Sequence, residues 1–321
     1  MERTQAMNLE TLPVLSLAAP SGNLAEDLGN SFQRFGFALV SDHGLDPALV
    51  ARGWELTAAF FAQGEAAKRR WHIAGGGGQR GYTPFGTEIA KGAAVHDLKE
   101  FWHVGRELPA GDPLAATMPA NVWPDAPDGF RETFTALYAE FDRIGARILS
   151  HIAVWLGLAP DWFDPAIAGG NSILRLLHYP PIPGDTANEL GGAIRAGAHE
   201  DINLITLLLG AEEAGLELLT REGRWIPASP PPGALVVNIG DMLQRLTNHV
   251  LPSTTHRVRN PDGARAAHSR YSMPFFLHLR SDFAIRTLPG CVSAENPDRY
   301  PVPITADEYL HERLREIGLK V

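Results

Sequence analysis

His199-Glu200-Asp201 is the one place among twelve histidines where a carboxylate follows a histidine at a spacing of two. In extended backbone, residues two apart point to the same side. His199 and Asp201 can therefore aim at one point while Glu200 faces away. Alone, such a pair is ordinarily a hydrogen-bonded surface contact. A second imidazole, in Thr254-Thr255-His256-Arg257-Val258, sits on a short polar-apolar segment that reads as a strand. Two neutral imidazoles and one carboxylate on one face of a divalent iron leave three octahedral positions open for oxygen chemistry. A third signal follows in Arg270-Tyr271-Ser272, whose first and last residues share a face of the next strand. A guanidinium grips a carboxylate with two parallel hydrogen bonds, and a hydroxyl adds a third. Phe275 and Phe276, just beyond, would dry such a site.

These residues need elements to hold them. Leu12–Leu17 reads as a first strand, residues 24–35 as a helix, and Phe37–Ser41 as an apolar strand. Asp46 is placed to cap a helix opened by Pro47 and running to about Phe61. Four consecutive glycines, Gly75–Gly78, cost too much backbone entropy for a helix or strand. They predict a loop, a candidate lid with Arg80, Tyr82 and Thr83. The longest helical signal spans 128–156, where Phe134, Leu137, Phe141, Ile144, Ile148 and Ile152 recur at steps of three and four. From Ile173 onward the pattern changes to short strands: 172–178, 204–209, 216–219, 234–239, 255–258 and 271–279. A last amphipathic helix is expected over 306–317. Helices first and many short strands after them predict a mostly β fold with helices, a sandwich or barrel under a helical N-terminal cover.

The bulk numbers exclude several classes. With 45% hydrophobic and 20% charged residues and no low-complexity tract, the chain can bury a full core. A net charge of -9 and a pI near 5.7 disfavour nucleic acid and anionic lipid as partners. No run reaches the roughly 18 apolar residues of a membrane span. The first residues lack the basic and apolar regions of a signal peptide. The single cysteine, Cys291, allows no internal disulfide and suits a reducing compartment. The expected location is the cytoplasm.

Taken together, these motifs resemble the isopenicillin N synthase-like family of iron(II)/2-oxoglutarate-dependent dioxygenases. The likeness runs through nearly the whole chain: residues 12–17, 35–44 and 97–102, then 199–208, 232–241, 255–258 and 270–276, in the family's order. It implies a double-stranded β-helix (a jelly-roll) over 161–321, covered by a helical region over 1–160, the two forming one structural unit. His199, Asp201 and His256 would bind Fe(II). Arg270 and Ser272 would hold the distal carboxylate of 2-oxoglutarate, and Tyr179 matches a family tyrosine that assists them. Where the family often has asparagine, this chain has Leu177, which removes one polar contact near the cosubstrate.

The resemblance also implies use of O2 and a small-molecule substrate, oxidised by hydroxylation, desaturation or cyclisation with release of succinate and CO2. Two alternatives stay open at this point. One is an isopenicillin N synthase-like or ethylene-forming oxidase with non-standard use of 2-oxoglutarate. The other is a non-catalytic metal-binding jelly-roll. His178, Arg195 and His268 read as structural rather than substrate-binding.

Overall fold

The structure, a computed structural model, describes residues 11–19, 23–88, 96–182, 194–210, 215–260 and 263–316. The chain start and Ile317, read above as a leaderless terminus and a helix end, lie outside them. The elements in order are β1 (Val14–Ser16), α1 (Leu24–Phe35), β2 (Phe37–Ser41), α2 (Pro47–Phe61), α3 (Glu65–Arg69), β3 (Gly81–Thr83) and β4 (Glu100–Gly105). Then come α4 (Phe130–Trp155), α5 (Asp164–Ile167), β5 (Ile173–Tyr179), β6 (Ala196–His199), β7 (Ile205–Gly210), β8 (Leu216–Leu219) and β9 (Trp225–Pro227). The chain closes with β10 (Leu235–Ile239), α6 (Asp241–Leu246), β11 (His256–Val258), β12 (Arg270–Leu277), β13 (Ala284–Ile285), β14 (Ile304–Thr305) and α7 (Ala306–Glu316).

Local chemistry sets the helix ends. Gly36 stops α1 in the left-handed conformation, φ 68°, that glycine adopts without strain, and its N–H returns to Phe32 O. Asp46 caps α2 by accepting from the Ala48 N–H, with Pro47 at the first helical position. In α4 the six residues spaced at three and four are all fully buried. Gly145 lets α4 settle onto the sheet, since a Cβ there would lie 2.3 Å from Leu277 Cδ1.

Eight strands form a major sheet in the order β1-β2-β10-β7-β12-β5-β4-β3, and β6-β11-β8-β9 form a minor one. Every pairing in these two sheets is antiparallel except β1 with β2. This is the jelly-roll class expected from the sequence, and strands from the N-terminal part complete both edges of the major sheet.

The period-two alternation of the strands sorts side chains between two compartments. Ala38, Val40, Val237, Leu207, Phe275 and Leu277 face outward, into the core shared with α1, α2 and α4. Phe37, Leu39 and Val236 face inward, into a smaller core with Leu216, Leu218, Ile226 and Val258 of the minor sheet. That inner core fills only one end of the space between the sheets. Further along the same inner face the side chains turn polar: Thr206 on β7, Arg270 and Ser272 on β12, Arg175 on β5, His103 on β4. The register fixes this row, with Ser272 opposite Leu177 and His103 opposite Arg175.

One expectation needs correction. Phe275 does not face the inner space. It stacks on Phe141 of α4 at 5.6 Å between ring centroids, and only Phe276 points inward. Adjacent strand residues alternate faces, so a Phe-Phe pair cannot line one side. β12 lies between β7 and β5 in the major sheet, while His256 belongs to the minor one.

Candidate metal and cosubstrate site

The polar end of the inner space is a cavity of about 490 Å3, bordered by His199, Asp201, Phe276, Arg175 and residues of α7. β6 and β11 pair so that His199 and His256 stand directly opposite each other. Their ring centroids are 4.4 Å apart. Asp201 lies just past the end of β6, in the turn leading to β7, rather than on extended strand. The turn still delivers it: Asp201 Oδ1 is 3.8 Å from His199 Nε2 and 3.8 Å from His256 Nε2. Each of the three offers a ligand atom, and these atoms lie within 4.8 Å of one another.

The neighbours aim all three groups. His199 Nδ1 lies 2.7 Å from Gly197 O, and His256 Nδ1 lies 3.1 Å from Thr254 O. A carbonyl only accepts, so each Nδ1 carries the proton and each Nε2 turns its lone pair inward. On Asp201, Oδ2 is occupied, accepting from the Thr206 hydroxyl (2.5 Å) and Asn238 Nδ2 (2.8 Å), which leaves Oδ1 for the histidines. Asn203 Nδ2 in turn donates to Thr206 Oγ1 at 2.9 Å, so the hydroxyl proton is directed at the carboxylate.

Protonation fits metal binding. Burial, with the adjacent His256, pushes His199 down to about 4, so the imidazole is neutral at pH 7. Burial would raise the Asp201 pKa, but the two histidines and the Asn238 and Thr206 hydrogen bonds outweigh it and hold the carboxyl below its ordinary value. Two neutral nitrogens and one anionic oxygen suit a divalent first-row metal. Thr206→Val keeps the shape and removes the hydrogen bond. We expect it to weaken Fe(II) affinity roughly 10–100-fold, measured by anaerobic metal titration; unchanged affinity would show that the hydroxyl does not orient Asp201.

The three residues expected to hold the cosubstrate lie on β12 and β5. Arg270, Ser272 and Tyr179 are all buried, and Arg270 opposes Tyr179 in the register. The guanidinium carbon stands 5.0 Å from the Tyr179 ring centroid. Arg270 Nε and Nη1 are buried without a hydrogen-bond partner. Leaving buried donors of a charged group unpaired costs at least about 1–3 kcal/mol. A carboxylate seated here would give the buried guanidinium a counter-charge and accept from one of these donors, and this is the observation by which 2-oxoglutarate fits. Leu177 packs with Phe101 and Tyr179 in a small apolar cluster, so it replaces a polar contact by a dry wall.

The glycine-rich loop is divided. Gly77, Gly78 and Gln79 border the cavity, but Arg80 and Tyr82 point elsewhere. Arg80 donates to Pro119 O, Gln79 O and Asn171 Oδ1, and the Tyr82 hydroxyl donates to Glu100. His178 joins that same buried cluster, sharing Glu100 with Lys68 and stacking on Tyr271, a structural role as expected. Arg195 is fully buried, its guanidinium carbon 5.8 Å from the Tyr179 ring centroid. Sequence reasoning missed Glu88, Lys99, His103 and Arg175, which border the cavity. The alternation in Phe101-Trp102-His103-Val104 was the available signal for β4, and the polar residues on its inner face obscured it.

Comparison with known proteins gives a consistent picture. Residues 170–279 match the 2OG-Fe(II) oxygenase superfamily, and residues 12–126 match the non-haem dioxygenase in morphine synthesis N-terminal family. The chain is 32% identical over 298 residues to the 2-oxoglutarate-Fe(II) type oxidoreductase hxnY of Emericella nidulans, covering 90% of this chain and 83% of that one. Among solved structures, a 2OG-Fe(II) oxygenase family protein from Caulobacter crescentus superposes with a TM-score of 0.88 at 54% identity, covering 95% and 99% of the two chains. A full-length Neurospora crassa protein in complex with alpha-KG and thymine superposes with a TM-score of 0.85 at 27% identity, covering 97% and 98%.

Proposed function

Because this chain belongs to the 2OG-Fe(II) oxygenase superfamily, we propose that His199, Asp201 and His256 are its iron ligands and that Arg270, Ser272 and Tyr179 seat its 2-oxoglutarate. The protein is an Fe(II)- and 2-oxoglutarate-dependent oxygenase that oxidises a small molecule. Bound Fe(II), with 2-oxoglutarate and O2, supplies the oxidation and releases succinate and CO2. The observation that carries the residue assignment is the approach of both histidine Nε2 atoms to Asp201 Oδ1, at 3.8 Å each.

Each residue has a separate task. His199 and His256 give lone pairs from Nε2 while backbone carbonyls hold their other protons. Asp201 gives one oxygen and a negative charge, and Thr206 and Asn238 keep its second oxygen turned away. Arg270 supplies unpaired donors for the distal carboxylate, with the Ser272 hydroxyl on the same face. Phe276, Phe101 and Leu177 keep water from this end of the cavity, which strengthens those bonds.

The substrate enters the remainder of the cavity, on the side of Arg175 and α7. The similar Neurospora crassa protein binds thymine, in keeping with a small-molecule substrate here. Among the described residues no helix is long and apolar enough to cross a membrane. With the acidic charge, this supports a cytoplasmic enzyme that does not act on nucleic acid. The test is anaerobic addition of Fe(II) and 2-oxoglutarate. The account predicts a visible absorption band that needs both, and succinate on admitting O2. A band indifferent to 2-oxoglutarate contradicts it.

A further inference from the structure

Four charged side chains, Glu88, Asp97, Lys99 and Arg175, border the same cavity. Arg175 projects inward from β5, and its guanidinium carbon lies 4.2 Å from the Phe101 ring centroid and 5.2 Å from that of Phe276. Its Nε donates to His103 Nε2 at 2.5 Å. That role is fixed, because His103 Nδ1 must keep its proton to donate to Gly78 O at 2.6 Å. Burial, together with the Arg175 charge, holds the His103 pKa well below its ordinary value, so this ring is neutral. Two aromatic faces and one imidazole thus lock the guanidinium, so that only its outer edge faces other groups.

The outer edge meets Glu88, but loosely. The two contacts, Nη1 to Oε2 and Nη2 to Oε1, are 3.3 and 3.4 Å. A charge-assisted pair normally closes to about 2.7–2.9 Å. Glu88 makes its short bond elsewhere, with Lys99 Nζ at 2.6 Å. Lys99 has a second partner in Asp97, at 2.8 Å. Arg175 and Glu88 are also the less covered members of the group: their side chains keep 17% and 24% exposure, against 8% for Lys99 and for Asp97. Two cations and two anions leave this group neutral, with the Arg175 donor edge and the Glu88 carboxylate facing each other across a loose gap on the cavity.

We propose that Arg175 and Glu88 recognise the substrate together through an uncharged carboxamide-type edge, the carbonyl oxygen accepting from Arg175 and the adjacent N–H donating to Glu88. The substrate class is a small neutral amide, lactam or cyclic imide. Charge decides against a carboxylic acid. Its carboxylate would meet Glu88 as well as Arg175, and like charges in a cavity of low polarity repel strongly. A neutral edge satisfies both groups and leaves the balance of charge untouched. This assignment rests on the iron and 2-oxoglutarate reading above, since it presumes an oxidation centre across the cavity.

The test uses two ring compounds of one shape, benzamide and benzoate, titrated calorimetrically into the anaerobic Fe(II)–2-oxoglutarate holoenzyme. Benzamide is expected to bind about tenfold more tightly than benzoate, the worth of one hydrogen bond to a charged group. Glu88→Gln should invert the order: Lys99 keeps Asp97, so Arg175 alone is left without a counter-charge and takes the acid. Arg175→Gln should weaken benzamide about tenfold. Benzoate preferred by the unmodified protein overturns the proposal, and so does an unmoved order in a folded Glu88→Gln variant. If the unmodified protein gives no 2-oxoglutarate-dependent band, the iron reading falls and this one with it. An intact band with benzoate preferred overturns this one alone.

Discussion

Asp201→Ala abolishes succinate formation, and His199→Ala does the same, while the fold survives. The carboxylate is the sole anion among the three converging groups, and its Oδ1 is the point both imidazoles face. Without it the centre loses a ligand and the charge that makes a dication welcome. The loss should exceed the roughly 10–100-fold expected from removing an outer neighbour such as Thr206. The fold should hold because removing a buried anion also removes its desolvation cost, and the orphaned donors of Thr206 and Asn238 cost only about 1–3 kcal/mol each. Activity and circular dichroism on the same samples check both halves. A folded Asp201→Ala protein with full turnover would show that the iron sits elsewhere.

The second large effect belongs to Arg270. Arg270→Ala should raise the dissociation constant for 2-oxoglutarate by about 10²–10⁴-fold, two charge-assisted hydrogen bonds at about 1.5–3 kcal/mol each. The anaerobic absorption band reads this directly, because it reports 2-oxoglutarate binding without turnover. Arg270→Lys should recover only part of the loss, since an ammonium cannot present two parallel donors. The residue already bears the cost of unpaired buried donors, so a ligand that satisfies one of them recovers part of that cost. An unchanged dissociation constant in Arg270→Ala would remove the residue from the cosubstrate site.

The elements that carry this chemistry were legible to different degrees. Residues 24–35, 37–41 and 216–219 coincide with α1, β2 and β8, the first marked by helical spacing, the second by an apolar run and the third by the turns around it. The helix over 128–156 was legible from its stripe and differs from α4 by one or two frayed residues at each end. β4 was not legible as a strand: Glu100, Trp102 and Val104 face the helices while Phe101 and His103 face the cavity, so neither face is uniformly apolar.

Within the site, local spacing pointed to His199, Asp201 and the Arg270–Ser272 pair. The partners that aim them were not legible. Gly197 O and Thr254 O are backbone atoms, and Asn238 comes from β10, a strand whose sequence reads as plain apolar core. The Arg175 clamp was hidden for the same reason, as it is assembled from β4, β5, β12 and two loops.

The central claim is that two imidazoles and one carboxylate share a single metal beside a guanidinium that holds the cosubstrate. The most direct measurement is an anaerobic crystal structure with Fe(II) and 2-oxoglutarate bound. The account predicts one metal about 2.0–2.2 Å from His199 Nε2, His256 Nε2 and Asp201 Oδ1, with a 2-oxoglutarate carboxylate on the Arg270 guanidinium. A metal bound away from any of those three atoms, or a cosubstrate whose carboxylates leave Arg270 unpaired, would contradict it.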